Sequence, residues 1–97
     1  MAGQIRVTPE TMRGRATEFR TAKGNFEQVI QTMSNLITTL QEEWEGEASR
    51  QFAAQFESLR PSFNEMAELI ESIAGQCDGV ATATEQLDSE MAKKFLS

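Results

Sequence analysis

Apolar residues recur at every seventh position along two tracks, and the two tracks are out of phase. In the first, Met12, Phe19, Phe26, Met33 and Leu40 are followed four residues later by Ala16, Lys23, Ile30, Ile37 and Trp44, the d and a positions of a heptad. In the second, Phe52, Leu59, Met66, Ile73, Val80 and Leu87 are followed at the same spacing by Phe56, Phe63, Ile70, Cys77, Thr84 and Met91. Extending the first track would demand apolar residues at Glu47 and Ala54, so helical phase is lost between Trp44 and Ser49. Such a chain is restricted to two long helices joined by a short turn.

The first helix is expected over residues 9 to 44. Thr8 stands at the N-cap, Pro9 at the first helical position and Glu10 in the first turn, with Val7 placed to staple onto Met12. Val29 and Leu36 widen its stripe beyond the narrow seam of a two-stranded coil, so the helix needs more than one neighbour. Gly46 supplies the αL residue of a turn at 45 to 47. The second helix is expected over 47 to 93, with a flexible tail to 97. Pro61 removes a backbone donor, and Gly75 and Gly79 each cost about 1 kcal/mol relative to alanine. Yet the track runs unshifted across all three, so the helix continues, kinked near Pro61 and weakest around Asp78-Gly79. The position after each d residue carries Ala53, Ala67, Ala74 and Ala81, interrupted by Arg60; close helix approach and helix propensity explain these alanines equally well.

A short turn makes the two helices antiparallel within a single domain over 1–97. Charge is distributed to match. Residues 1 to 23 hold five Arg/Lys against two Glu, whereas residues 24 to 97 hold four against thirteen. Reflection about Gly46 sets Arg20 opposite Glu71, Arg13 opposite Asp78 and Arg6 opposite Glu85, pairs that select alignment more than they add stability. Lys23 and Thr84 are the polar exceptions at a positions, and Lys23 is read as snorkelling from a helix edge.

Two helices cannot enclose so wide a stripe, and a contiguous exposed apolar area marks an interaction surface. The simplest closure is a second copy on a two-fold axis, giving an all-α, four-helix-bundle dimer in which each chain supplies a hairpin; a related hairpin is the alternative partner. The dimer core is then expected from Phe19, Phe26, Ile30, Met33, Ile37, Leu40, Phe52, Phe56, Leu59, Phe63, Met66, Ile70 and Ile73.

Other functions are disfavoured by composition. The chain has no histidine, no tyrosine and one cysteine, so the usual acid, base and nucleophile sets cannot be assembled, and no enzyme activity or cofactor is expected. Cys77 is read as a core residue. Metal binding is not expected either, because Glu42, Glu43, Glu45 and Glu47 lack the alternating ligands and glycine of a calcium loop. A net charge of −6 opposes nucleic-acid binding. No apolar run approaches the ~20 residues of a spanning helix, so stable membrane insertion is not expected. Met1 to Arg6 offers no secretory h-region, so any export would use a route that reads no cleaved signal peptide.

Trp44-Glu45-Gly46 at the centre of a hairpin of about this length resembles the WXG family of type VII secretion substrates, the EsxA-like proteins. The resemblance implies a non-catalytic protein, made in the cytoplasm and secreted as a folded dimer through a complex driven by an FtsK/SpoIIIE-type ATPase. Trp44 and Gly46 match the family's turn motif. Its C-terminal signal, often Tyr-x-x-x-Asp/Glu, has no tyrosine here; a looser form of it matches Asp88, Met91 and Phe95, with Thr84 departing from the pattern. In structural terms, Met91 would continue the core track, Asp88 would be a solvated charge and Phe95 would pack the helix end. Two further readings are a cytosolic adaptor binding partner helices and a membrane-active amphipathic protein.

Overall fold

The computed structural model describes residues 7–96. These form α1 (Pro9–Glu43), α2 (Glu47–Ser58) and α3 (Arg60–Leu96), with α2 and α3 running antiparallel to α1 in a rod of 77 × 23 × 21 Å. The Thr8 hydroxyl accepts the Thr11 N–H at 3.1 Å, capping α1 at one of its four otherwise unpartnered donors. α1 ends at Glu43, and Trp44 is its extended C-cap, donating its N–H to the Leu40 carbonyl at 2.8 Å.

Gly46 has positive φ but is not αL. Its φ of 128° and ψ of 177° fall in a region open essentially to glycine alone. An added Cβ would meet nothing within 4 Å, so the constraint lies in the backbone rather than in packing.

The second half is a long arm interrupted at one residue, Leu59, where α2 gives way to α3 beside Pro61, the place at which the kink is expected. Leu59 stays in the right-handed helical region at φ −89°, ψ −10°, but its N–H turns to the Phe56 carbonyl at 3.1 Å. The Ser58 hydroxyl donates to the Gln55 carbonyl at 2.6 Å, filling an acceptor that a regular helix would give to Leu59. Pro61, without an N–H, cannot serve Glu57 in the usual way. Asp78 and Gly79 lie within continuous helix, and α3 extends past Lys93 to Leu96.

The hairpin seam is built from small residues. Ala16, Ala67, Ala74 and Ala81 are buried, so close approach of the backbones, and not propensity alone, accounts for the alanine column. Each step along a helix turns the side chain by about 100°. The alanines therefore face α1 while the preceding d column, Phe52, Leu59, Met66, Val80 and Leu87, stays exposed. Among the described residues no large side chain is fully buried.

Candidate functional site

The two long faces of the hairpin differ in chemistry. One is polar and internally paired. Arg20 donates from Nε and Nη2 to Glu71 Oε2 at 3.1 and 2.9 Å and from Nη1 to Asp78 Oδ2 at 2.8 Å. Lys23 Nζ lies 3.7 Å from Glu71, and Arg13 binds Glu85 and reaches Thr82 at 3.5 Å. Reflection about the turn thus places Arg20 against Glu71 correctly but misses the rest by one heptad: Asp78 takes Arg20 rather than Arg13, and Glu85 takes Arg13. Arg6, expected opposite Glu85, lies outside the described residues. Lys23 is half-buried, and its ammonium reaches out to an ion pair with Glu71. Hydrogen bonding from Arg20 holds the Glu71 carboxyl below the ordinary carboxylate range, and Arg60 does the same to Glu57.

The other face is apolar and open. Near the turn, Met33, Leu36 and Leu40 of α1 and Phe52 and Leu59 of the second half border a groove of about 390 Å³. Heptad spacing continues this face through Met66, Val80 and Leu87, and these side chains together are 40 to 57% exposed. The positions expected to form a dimer core therefore divide. Phe56 is buried within the single chain, and Phe26, Ile30, Ile37, Phe63, Ile70 and Ile73 are half-buried in or beside the seam between the helices. Phe19, Met33, Leu40, Phe52, Leu59 and Met66 remain exposed. Cys77 is half-buried.

At the turn, the Trp44 ring packs against Phe52 yet is 45% exposed. A shallow polar depression beside it is lined by Gln41, Glu45, Gly46, Ser49 and Arg50. Ser49, which carries no obvious signal in the sequence, is buried here. At the far end Asp88 and Met91 are exposed, and Phe95, expected to pack the helix end, is 85% exposed. Asp88, Met91 and Phe95 share one side of α3 by their spacing, far along the rod from Trp44 and Gly46. No helix among the described residues is long and apolar enough to cross a membrane.

A rod with one ion-paired polar face, one open apolar face and a Trp-x-Gly turn defines an extended helical hairpin. The chain belongs to the WXG100 family, proteins of 100 residues with WXG, which matches residues 4–89. It is 35% identical over 95 residues to protein YukE of Bacillus subtilis, covering 98% of each chain. It is 25% identical over 91 residues to the type VII secretion system extracellular protein A of Staphylococcus aureus, covering 94% of each. A crystal structure of EsxA from Geobacillus thermodenitrificans matches with a TM-score of 0.80 at 39% identity, over 95% of this chain and 99% of that one. The chain is thus related to type VII secretion substrates such as EsxA.

Proposed function

We propose that this protein is itself a substrate of a type VII secretion system, exported as a folded dimer in which two hairpins bury their apolar faces. The observation that carries this reading is the open face of Met33, Leu36, Leu40, Phe52, Leu59, Met66, Val80 and Leu87. Area supports it. The chain exposes 7522 Å², against about 5500 Å² for a compact monomer of its mass. The excess, to which the rod shape contributes, is large enough to accommodate the roughly 800 Å² per partner of a stable interface.

A second copy is the favoured partner, with a related WXG hairpin as the alternative. Between residues 24 and 41 α1 carries one charged residue, Glu27, and it borders a depression with Arg60, Phe63 and Asn64. The α1 side of the apolar strip can thus meet its own copy without like-charge repulsion. In this reading Trp44 and Gly46 form one recognition element for an FtsK/SpoIIIE-type ATPase, and Asp88, Met91 and Phe95 the other. The protein carries out no catalysis and acts outside the cell by contact.

The test is extracellular abundance in a producing strain with and without the secretion ATPase gene. Export through this route predicts loss from the culture supernatant with retention in the lysate. Equal supernatant levels in both strains would rule it out.

A further inference from the structure

We propose that the second copy docks in one register, with the two-fold axis passing through Val29 and Met66, so that Arg15 of each chain pairs with Glu43 of the other. This inference rests on the dimer reading above and specifies which residues meet.

The register is written in one column of α1. Arg15, Ala22, Val29, Leu36 and Glu43 recur every seven residues, each one position before the a track, and all five are exposed. Val29 and Leu36, at 54 and 57%, are the most exposed large apolar side chains of this helix. Across a two-fold axis perpendicular to the rod, residue i meets residue j of the second copy and j meets i. Centred on Val29, the column sets Val29 against itself, Ala22 against Leu36 and Arg15 against Glu43. Apolar then meets apolar, small meets large and base meets acid. Centred on Ala22, Arg15 would face Val29; centred on Leu36, Glu43 would face Val29. The half-heptad centres set Arg15 against Leu36 or Glu43 against Ala22. Val29 is the one centre in the column that leaves no charge facing an apolar side chain.

The remaining charges of the chain leave this pair available. Arg13, Arg20 and Lys23 are committed to Glu85, Glu71 and Asp78 on the polar face. Arg15 is the other basic residue of α1, tied only to its near neighbour Glu18 at 2.6 Å, and Glu43 is unpaired among the described residues. Charges flanking an apolar seam select orientation and register more than they add affinity.

The second arm accepts the same axis. Arg60 reaches Ser34 at 3.4 Å, and Arg20 spans Glu71 and Asp78, which sets Val29 level with Met66 across the hairpin. Met66 is the middle of Phe52, Leu59, Met66, Ile73 and Val80. Reflection there sets Leu59 against Ile73 and Phe52 against Val80 of the second copy, so a single axis serves both arms.

Single cysteines, introduced into the full-length protein in a Cys77→Ser background and oxidised, test the register. Val29→Cys should link to itself at least about 10-fold faster than Ala22→Cys or Leu36→Cys alone, whose copies would lie about 21 Å apart along the axis. Mixing Ala22→Cys with Leu36→Cys should restore linking between the two. Arg15→Glu should weaken dimerisation by about 3-fold or more, and adding Glu43→Arg should recover the wild-type constant within about 2-fold. Self-linking of Ala22→Cys or Leu36→Cys as fast as that of Val29→Cys overturns the register, as does a charge reversal that is not rescued. Light scattering on the same Cys77→Ser protein separates the two readings: a dimer with the wrong cross-links overturns the register alone, whereas a monomer overturns the dimer and the register together.

Discussion

The Trp44 ring lies 6.5 Å from that of Phe52, tilted by 57°, so an aromatic contact spans the turn from the last residue of one arm to the first turn and a half of the next. Aromatic pairs in this geometry add about 0.5–1.5 kcal/mol beyond the area they bury. Trp44→Ala should therefore destabilise the hairpin by about 1–2 kcal/mol, with Trp44→Phe retaining most of the stability. Urea unfolding at fixed protein concentration measures both. Equal midpoints for wild type and Trp44→Ala would deny the contact a structural role.

Gly46 makes a sharper prediction, because its backbone lies outside αL. An αL glycine is replaced better by asparagine than by alanine. At φ 128° and ψ 177° asparagine has no such advantage, so Gly46→Ala and Gly46→Asn should each cost about 1–3 kcal/mol. A markedly milder Gly46→Asn would show that the turn in solution is αL.

The existence of the turn was legible in the sequence while its conformation was not, because glycine tolerates both positive-φ regions and the heptad break reports only a loss of phase. The two arms were similarly legible, but not which column of the second faces the first. Phe52, Leu59 and Met66 look like the core by hydrophobicity, yet Ala67, Ala74 and Ala81, one position on, occupy the seam. A periodic pattern states which residues avoid water, not which neighbour shields them. The ion pairs moved by a heptad for a related reason: Arg20 is long enough to reach both Glu71 and Asp78, so charge complementarity alone leaves the register open by seven residues.

The alanine seam predicts asymmetric tolerance. Ala74 is fully buried, and Ala74→Leu should force the helices apart at a cost of about 1–3 kcal/mol. Thermal unfolding followed by circular dichroism checks this against Ala83→Leu on the exposed side of the same helix, which should be nearly neutral. Equal effects at the two positions would remove the close-approach argument.

Acid should loosen the polar face. The folded-state pKa of Glu71 lies below its ordinary 4.5 because Arg20 hydrogen-bonds the carboxylate. Its stabilising contribution is thus complete above that value and is lost as pH falls through the depressed one. Urea midpoints taken from about pH 6 down to about pH 3 should fall below pH 4.5, and less steeply in Glu71→Gln, which has no proton to gain. Parallel curves for the two proteins would mean the pair contributes nothing.

The central claim is that a second hairpin covers the open apolar face, and solution mass by light scattering tests it most directly. At micromolar concentration the purified protein should scatter as about twice its 10.8 kDa chain mass, and Met66→Glu, on the exposed column, should reduce this to the chain mass. A wild-type protein that is monomeric at that concentration, or a Met66→Glu variant that still dimerises, would contradict the account.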